Sequence, residues 1–236
     1  MTTPLDRVSS FYQRVLFESP LGKSALDYLY ERGFTDETLK AYEVGFSPSA
    51  VVDYIAIKAL SFSDLTKLED IEHLFKLKNG SFQDKFSGRI TFPLKTCSNR
   101  TLGFAAREID GTLPKYLNST ESSEYHKARC LYGIQVATEA IFDSNYAILC
   151  EGYTDAMAFH QVGQTMAVAC GGTHATQYQL ALIGRYTMNL VLAFDADDAG
   201  DGVTDQTTAL AKKMGFKVAR LDTERGKDPA EVLLSK

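Results

Sequence analysis

With 236 residues and 44% hydrophobic composition, the chain can build one large core or two smaller ones. Its charged fraction of 23% is ordinary, no apolar run nears the ~18–20 residues of a membrane-spanning helix, and MTTPLDRVSS lacks the apolar centre of a secretory signal, so a soluble, cytoplasmic protein without a membrane partner is expected. The net charge of −5 argues weakly against nucleic acid as a partner.

Residues 1 to about 75 read as helices. In SPLGKSALDYLYERG, Ser19 suits an N-cap, Pro20 the first helical position and Gly33 the C-terminal cap. TDETLKAYEVGF reads as a short helix ending near Gly45, and Ala50 to Phe75 is again helix-like. From about residue 80 the character changes. Asn79-Gly80 and Asp110-Gly111 are turn signals, and RITFPL and TLGFAAR, joined by the polar KTCSNR, read as a β-hairpin. PKYLNSTESSEYHKARCLYG reads as an irregular loop leading into a helix. From about 145, four apolar runs follow: YAILC, TMAVAC, NLVLAF and FKVARL. Helical segments separate them, at Thr154–Val162, Thr176–Tyr186 and Gly200–Met214. Strands alternating with helices imply a parallel four-stranded sheet flanked by helices, with its ligand site at the carboxyl ends of the strands.

Those strand ends are acidic. Glu151 and Asp155 follow the first run, Asp195 and Asp197 the third, and Asp228 the fourth. Gly152 would let the chain turn sharply from strand to helix, and Asp155 would sit in the first turn of that helix. Asp195 and Asp197 are two apart, so an extended backbone turns both to one side. Carboxylates brought that close resist joint ionisation, and a bound Mg²⁺ or Mn²⁺ offsets their charge. Asp198, Asp201 and Asp205 read instead as charges on the helix that follows. The basic counterpart lies upstream: Lys85 to Arg129 holds eight Lys or Arg against four Asp or Glu. Asp143 to Asp205 holds eight acids against Arg185 alone. The first segment suits nucleic acid and the second a divalent metal. The cysteines, at 97, 130, 150 and 170, form no closely spaced pair, so no zinc site is expected in this chain.

EGYTD, AFDADDAG and GKDPAE, in that order, resemble the Toprim fold of DnaG-type primases, topoisomerases and some nucleases. GRITFPL, LGFAAR, PKYLNS, HKARCLYG and EGYTDAMA narrow the resemblance to DnaG-type bacterial and phage primases, and ALDYLYERGF with YEVGFSP is similar to the start of that family's polymerase core. The implied architecture is an α+β N-terminal subdomain over 1–140, followed by an α/β Toprim domain over 141–236. The implied activity is metal-dependent synthesis of short RNA primers on single-stranded DNA, a nucleotidyl transfer. The resemblance implies that Glu151, Asp195 and Asp197 are the central catalytic and metal-binding acids, with Asp155 and Asp228 supporting one or two Mg²⁺ or Mn²⁺ ions. It also implies that Arg89, Arg107, Lys115, Asn118 and Lys127 meet the template strand and nucleotide phosphates. Ribonucleoside triphosphates, a replicative helicase and a separate zinc-binding domain are the further partners it implies, inside a bacterial or phage-infected cell. Ala230 stands where the family often has a second acid, and Ala128 where it often has Gly. The family's N-terminal zinc domain and its C-terminal helical and helicase-binding parts have no counterpart in this sequence, which suits a polymerase core without its flanks. Two rival readings use the same residues: a Toprim-type nuclease, and an inactive core that binds single strands or replisome proteins.

Overall fold

The computed structural model describes residues 2–48, 61–78, 82–111, 114–172, 174–194, 198–221 and 229–234. Two compact units divide the chain: Met1–Glu31 with Leu39–Leu94 and Asn99–His126, and Arg32–Thr38 with Lys95–Ser98 and Lys127–Lys236.

The first unit opens on α1 (Pro4–Glu18), whose start is fixed by a capping box between Thr3 and Asp6. Ser19 does act as a cap, but of a 3₁₀ turn over Pro20–Gly22 that leads into α2 (Lys23–Glu31). A Cβ on Gly22 would lie 2.3 Å from the Val15 carbonyl oxygen, so this turn packs directly on the α1 backbone. Helix α3 (Asp36–Ala41) ends earlier than its sequence suggests, because Gly45 belongs to a strand, β1 (Gly45–Ser47). Gly45 lies against α1, where a Cβ would come within 2.5 Å of Tyr12 Cβ. Of the helix-like stretch 50–75, α4 (Phe62–Asp70) is helical, but β2 (Leu74–Lys76) pairs antiparallel with β3 (Phe82–Asp84). The Asn79-Gly80 turn signal between them lies outside the described residues.

The expected hairpin forms β4 (Arg89–Lys95) and β5 (Thr101–Arg107), adjacent strands of a sheet ordered β1, β4, β5, β6. The last of these corrects the loop reading of PKYLNS: β6 (Tyr116–Asn118) is a strand. It pairs antiparallel with β5, setting Tyr116 opposite Arg107 and Asn118 opposite Ala105. Three residues are too few to show a period, so only the partner strand reveals it.

In the second unit, α5 (Ile134–Ser144) leads into β7 (Ala147–Cys150), α6 (Tyr153–Gln161), β8 (Ala167–Ala169), α7 (Gln177–Ile183), β9 (Asn189–Ala193), α8 (Asp198–Lys213), β10 (Lys217–Arg220) and α9 (Pro229–Leu234). The four strands form one parallel sheet in the order β10, β9, β7, β8. All four strands and the three helices between them fall where the sequence period puts them. Leu149, Val168, Leu180, Leu192 and Phe216 are among the side chains of its core. Gln161 clasps the 32–38 segment through its amide, donating to Gly33 O at 2.7 Å and accepting from Thr35 N at 2.9 Å. No helix among the described residues is long and apolar enough to cross a membrane.

Candidate active site

Strand register sets the acid edge. Cys150 of β7 pairs with Ala193 of β9, so the two central strands end level. Glu151 leaves the first, half-buried, and its carbonyl accepts from Gly171 N at 3.0 Å. Asp195 and Asp197, which follow the second, lie outside the described residues, as does Asp228. Helix α8 begins at Asp198, so Asp198 and Asp201 fall in its first turn, as expected.

Asp155 is 3% exposed and both its oxygens are engaged. Oδ2 accepts from Gly152 N at 3.0 Å, and Oδ1 accepts from Ala230 N at 3.2 Å. One carboxylate therefore ties the Glu151–Gly152 turn to the first residues of α9. It also supplies a different reason for Gly152. Its φ of −94° is open to any residue. A Cβ there, however, would lie 2.8 Å from Asp155 Oδ2. Close approach of the carboxylate, rather than an unusual turn, is what glycine accommodates here: a larger residue would require the Asp155 carboxylate to shift.

Behind Glu151, the LYG stretch is built into the sheet. Tyr132 exchanges backbone hydrogen bonds with Ala169, at 2.9 and 3.0 Å, and packs its ring edge-on to Tyr153 at 5.0 Å. Gly133, at φ +82°, then starts α5. Gly171 has φ +67°, and a Cβ on it would meet Tyr153 Oη at 2.6 Å. The substitution Gly171→Ala is therefore expected to cost about 2–3 kcal/mol, from left-handed backbone plus overpacking. Urea unfolding of the variant checks this; a midpoint equal to wild type would show that the loop relaxes freely.

Lys127 reaches the same edge. Its Nζ would lie 3.8 Å from a Cβ on Gly172. The buried Cys170 thiol reports on both charges: burial pushes it up to about 11, Glu151 adds to that rise, and Lys127 opposes it. Lys127 thus reaches the Gly171–Gly172 loop, whose Gly171 N donates to the Glu151 carbonyl.

In the first unit, the other basic candidates are Arg89 at the start of β4, Arg107 at the end of β5 and Lys115 just before β6. Arg107 donates to Tyr116 Oη at 3.1 Å and lies over the rings of Tyr28, at 5.3 Å, and Tyr116, at 5.6 Å. Asn118 is half-buried on the same short strand, and Lys115, just before it, is exposed. Arg89 is buried, and its Nη1 donates to Pro114 O at 2.8 Å. It orders the segment that presents Lys115. Sequence reasoning missed the aromatic support around Arg107 and the holding role of Arg89; both depend on partners far along the chain.

Glu151 follows the end of β7, and a carboxylate is the kind of hard oxygen donor that a divalent cation takes. Among the described residues, no three His, Cys, Asp or Glu side chains gather to hold a metal.

Residues 11–138 match the family model described as DNA primase catalytic core, N-terminal domain. This chain belongs to the DNA primase catalytic core family. Residues 148–233 match the Toprim-like family, which fits the four-stranded parallel sheet. A Rickettsia felis DNA primase is 34% identical over 222 residues, covering 92% of this chain and 37% of that protein. The chain therefore spans little more than a third of that relative. The zinc-binding and RNA polymerase domains of the Aquifex aeolicus primase superpose with a TM-score of 0.87 at 29% identity, over 98% of this chain and 56% of that one. A DnaG primase catalytic domain bound to single-stranded DNA gives 0.84 at 30%, over 98% and 75%. The primase core thus has an N-terminal α+β region followed by a Toprim sheet, as the motifs imply.

Proposed function

We propose that this chain is the RNA polymerase core of a primase, making short RNA primers on single-stranded DNA. The observation that carries the reading is Glu151 at the end of a central Toprim strand, with Lys127 reaching the loop after the neighbouring strand β8, in a primase-family chain. In the reaction the 3′-oxygen of one nucleotide attacks the α-phosphorus of the next. A new P–O bond forms, the bond to pyrophosphate breaks, and the hydroxyl proton is lost. Glu151, with Asp195, Asp197 and Asp228, would hold one or two Mg²⁺ or Mn²⁺ ions, which supply charge neutralisation and a lowered pKa for the attacking hydroxyl. Asp155 holds the Glu151 turn and the start of α9 in place. Lys127 attracts the triphosphate by charge. Arg107, Lys115 and Asn118, on the strip that Arg89 orders, meet phosphates and sugars of the template, which position a strand without reading its sequence. Base pairing selects the nucleotide. Residues 1–140 supply the template contacts and 141–236 the acids, acting in the cytoplasm with a helicase and a separate zinc-binding domain.

The test is to incubate the chain with single-stranded DNA, labelled ribonucleotides and Mg²⁺ or Mn²⁺. Short RNA products are expected. No product, even with a zinc-binding domain supplied, would sink the reading, and nicking of DNA without nucleotides would replace it with a nuclease.

A further inference from the structure

A second feature of the Toprim unit lies two residues beyond Lys127. Arg129 is exposed, and its guanidinium sits 4.9 Å from the ring centroid of Tyr178 in α7. Tyr178 is 49% exposed, one of eight large hydrophobic side chains left in solvent among the described residues. The pair is fixed from both sides. The carbonyl before Arg129, on Ala128, accepts from Thr176 Oγ1. The carbonyl after it, on Cys130, accepts from Gln179 Nε2 at 2.7 Å. That same amide also donates to Cys170 O at 2.9 Å, which joins the arrangement to the end of β8. Arg129 is thus stapled onto α7 at both neighbours, with Tyr178 set between the two staples in sequence.

A planar cation held against an exposed aromatic ring is the apparatus by which proteins stack unpaired bases. Stacking is tolerant of base identity, and Arg contributes charge toward the backbone as well as a planar face. The short helical turn Lys127–Arg129 places this pair beside a lysine that reaches the acid edge. We propose that Arg129 and Tyr178 form a stacking platform for one unpaired nucleobase beside Lys127 and the loop that follows β8. The inference rests on the primase reading and deepens it, by naming where a base is held. The base belongs either to the template strand or to a ribonucleoside triphosphate.

The chain contains no tryptophan, so Tyr178→Trp places a single indole on the platform. Its fluorescence is titrated with a short oligodeoxythymidylate, with a strand of equal length made of abasic residues, and with ATP. Anisotropy of labelled strands and labelled nucleotide reports binding separately. Quenching by the oligonucleotide but not by the abasic strand is expected and assigns the base to the template. Quenching by ATP alone also supports the platform and assigns it to the incoming nucleotide. In the otherwise native chain, Tyr178→Ala should weaken binding of the quenching ligand at least about fivefold. Tyr178→Phe should keep it, and Arg129→Lys should weaken it less than Tyr178→Ala does. Binding seen by anisotropy without quenching, with Tyr178→Ala at wild-type affinity, overturns the platform and leaves the primase reading standing. Failure of both strand and nucleotide to bind overturns the two together.

Discussion

Replacing Glu151 by glutamine is expected to lower primer synthesis by at least about 100-fold, with the fold intact. Glutamine has the same shape. The bond from Gly171 N falls on the backbone carbonyl of residue 151, so it survives the exchange. What goes is the negative charge at the end of β7. An amide is a poor replacement for a carboxylate toward a hard divalent cation, and charge stabilisation of this kind is worth several kcal/mol. A loss of about 2.7 kcal/mol already gives that factor. Asp195→Ala should act in the same direction. Three measurements separate chemistry from folding: primer yield, Mn²⁺ affinity by electron paramagnetic resonance, and the urea midpoint. Yield and Mn²⁺ affinity should fall while the midpoint stays. A Glu151→Gln variant within tenfold of wild-type yield would remove Glu151 from the site.

The Toprim half is legible in the sequence because its signal is local. Four apolar runs broken by helical segments give the sheet, and the EGYTD turn gives its acid edge. The N-terminal half is less legible for a physical reason. β1 and β6 have three residues each, and their identity as strands lies in β4 and β5 rather than in themselves. Gly45 reads as a helix stop until α1 is packed against it. Asp155 reads as one more acid at a strand end. Its bonds to Gly152 and Ala230 show a carboxylate that holds its own turn and a backbone segment 75 residues further along the chain. Arg129 and Tyr178 carry no motif that marks them as a pair, since the staples join residues 48 and 49 positions apart. Motif spacing finds groups that act together through one strand end. It does not find groups that meet only after folding.

The largest effect on stability is expected at such a meeting, in the first unit. Tyr12, His73 and Asp84 are buried together, from α1, the turn after α4 and the end of β3. Tyr12 Oη donates to Asp84 Oδ2 and lies 3.0 Å from His73 Nε2. With the one phenolic proton given to Asp84, His73 must donate from Nε2. Its Nδ1 then stays unprotonated, and no hydrogen-bond partner reaches that atom among the described residues. Phe86 and Phe104 rings enclose the imidazole at 5.4 and 5.5 Å. A second proton would enter an apolar cage. Burial therefore holds the His73 pKa below its ordinary value; Asp84 opposes that shift and Lys85 adds to it. The folded unit resists a proton that the unfolded chain accepts, so this contribution is complete above about pH 6.5 and is lost as pH falls below it. Asp84 also accepts from Phe86 N at 2.7 Å through its other oxygen. Asp84→Ala thus strands a buried hydroxyl and a buried amide at once, and should cost about 3–5 kcal/mol in urea unfolding. Asp84→Asn keeps the shape but turns an NH₂ group toward one of those donors, and should cost less. If Asp84→Ala unfolds within 1 kcal/mol of wild type, on the order of a single weak hydrogen bond, the network is a passive filling of the core. If it unfolds as expected, three groups spread across 72 residues of sequence set much of the stability of the unit that carries Arg107 and Lys115.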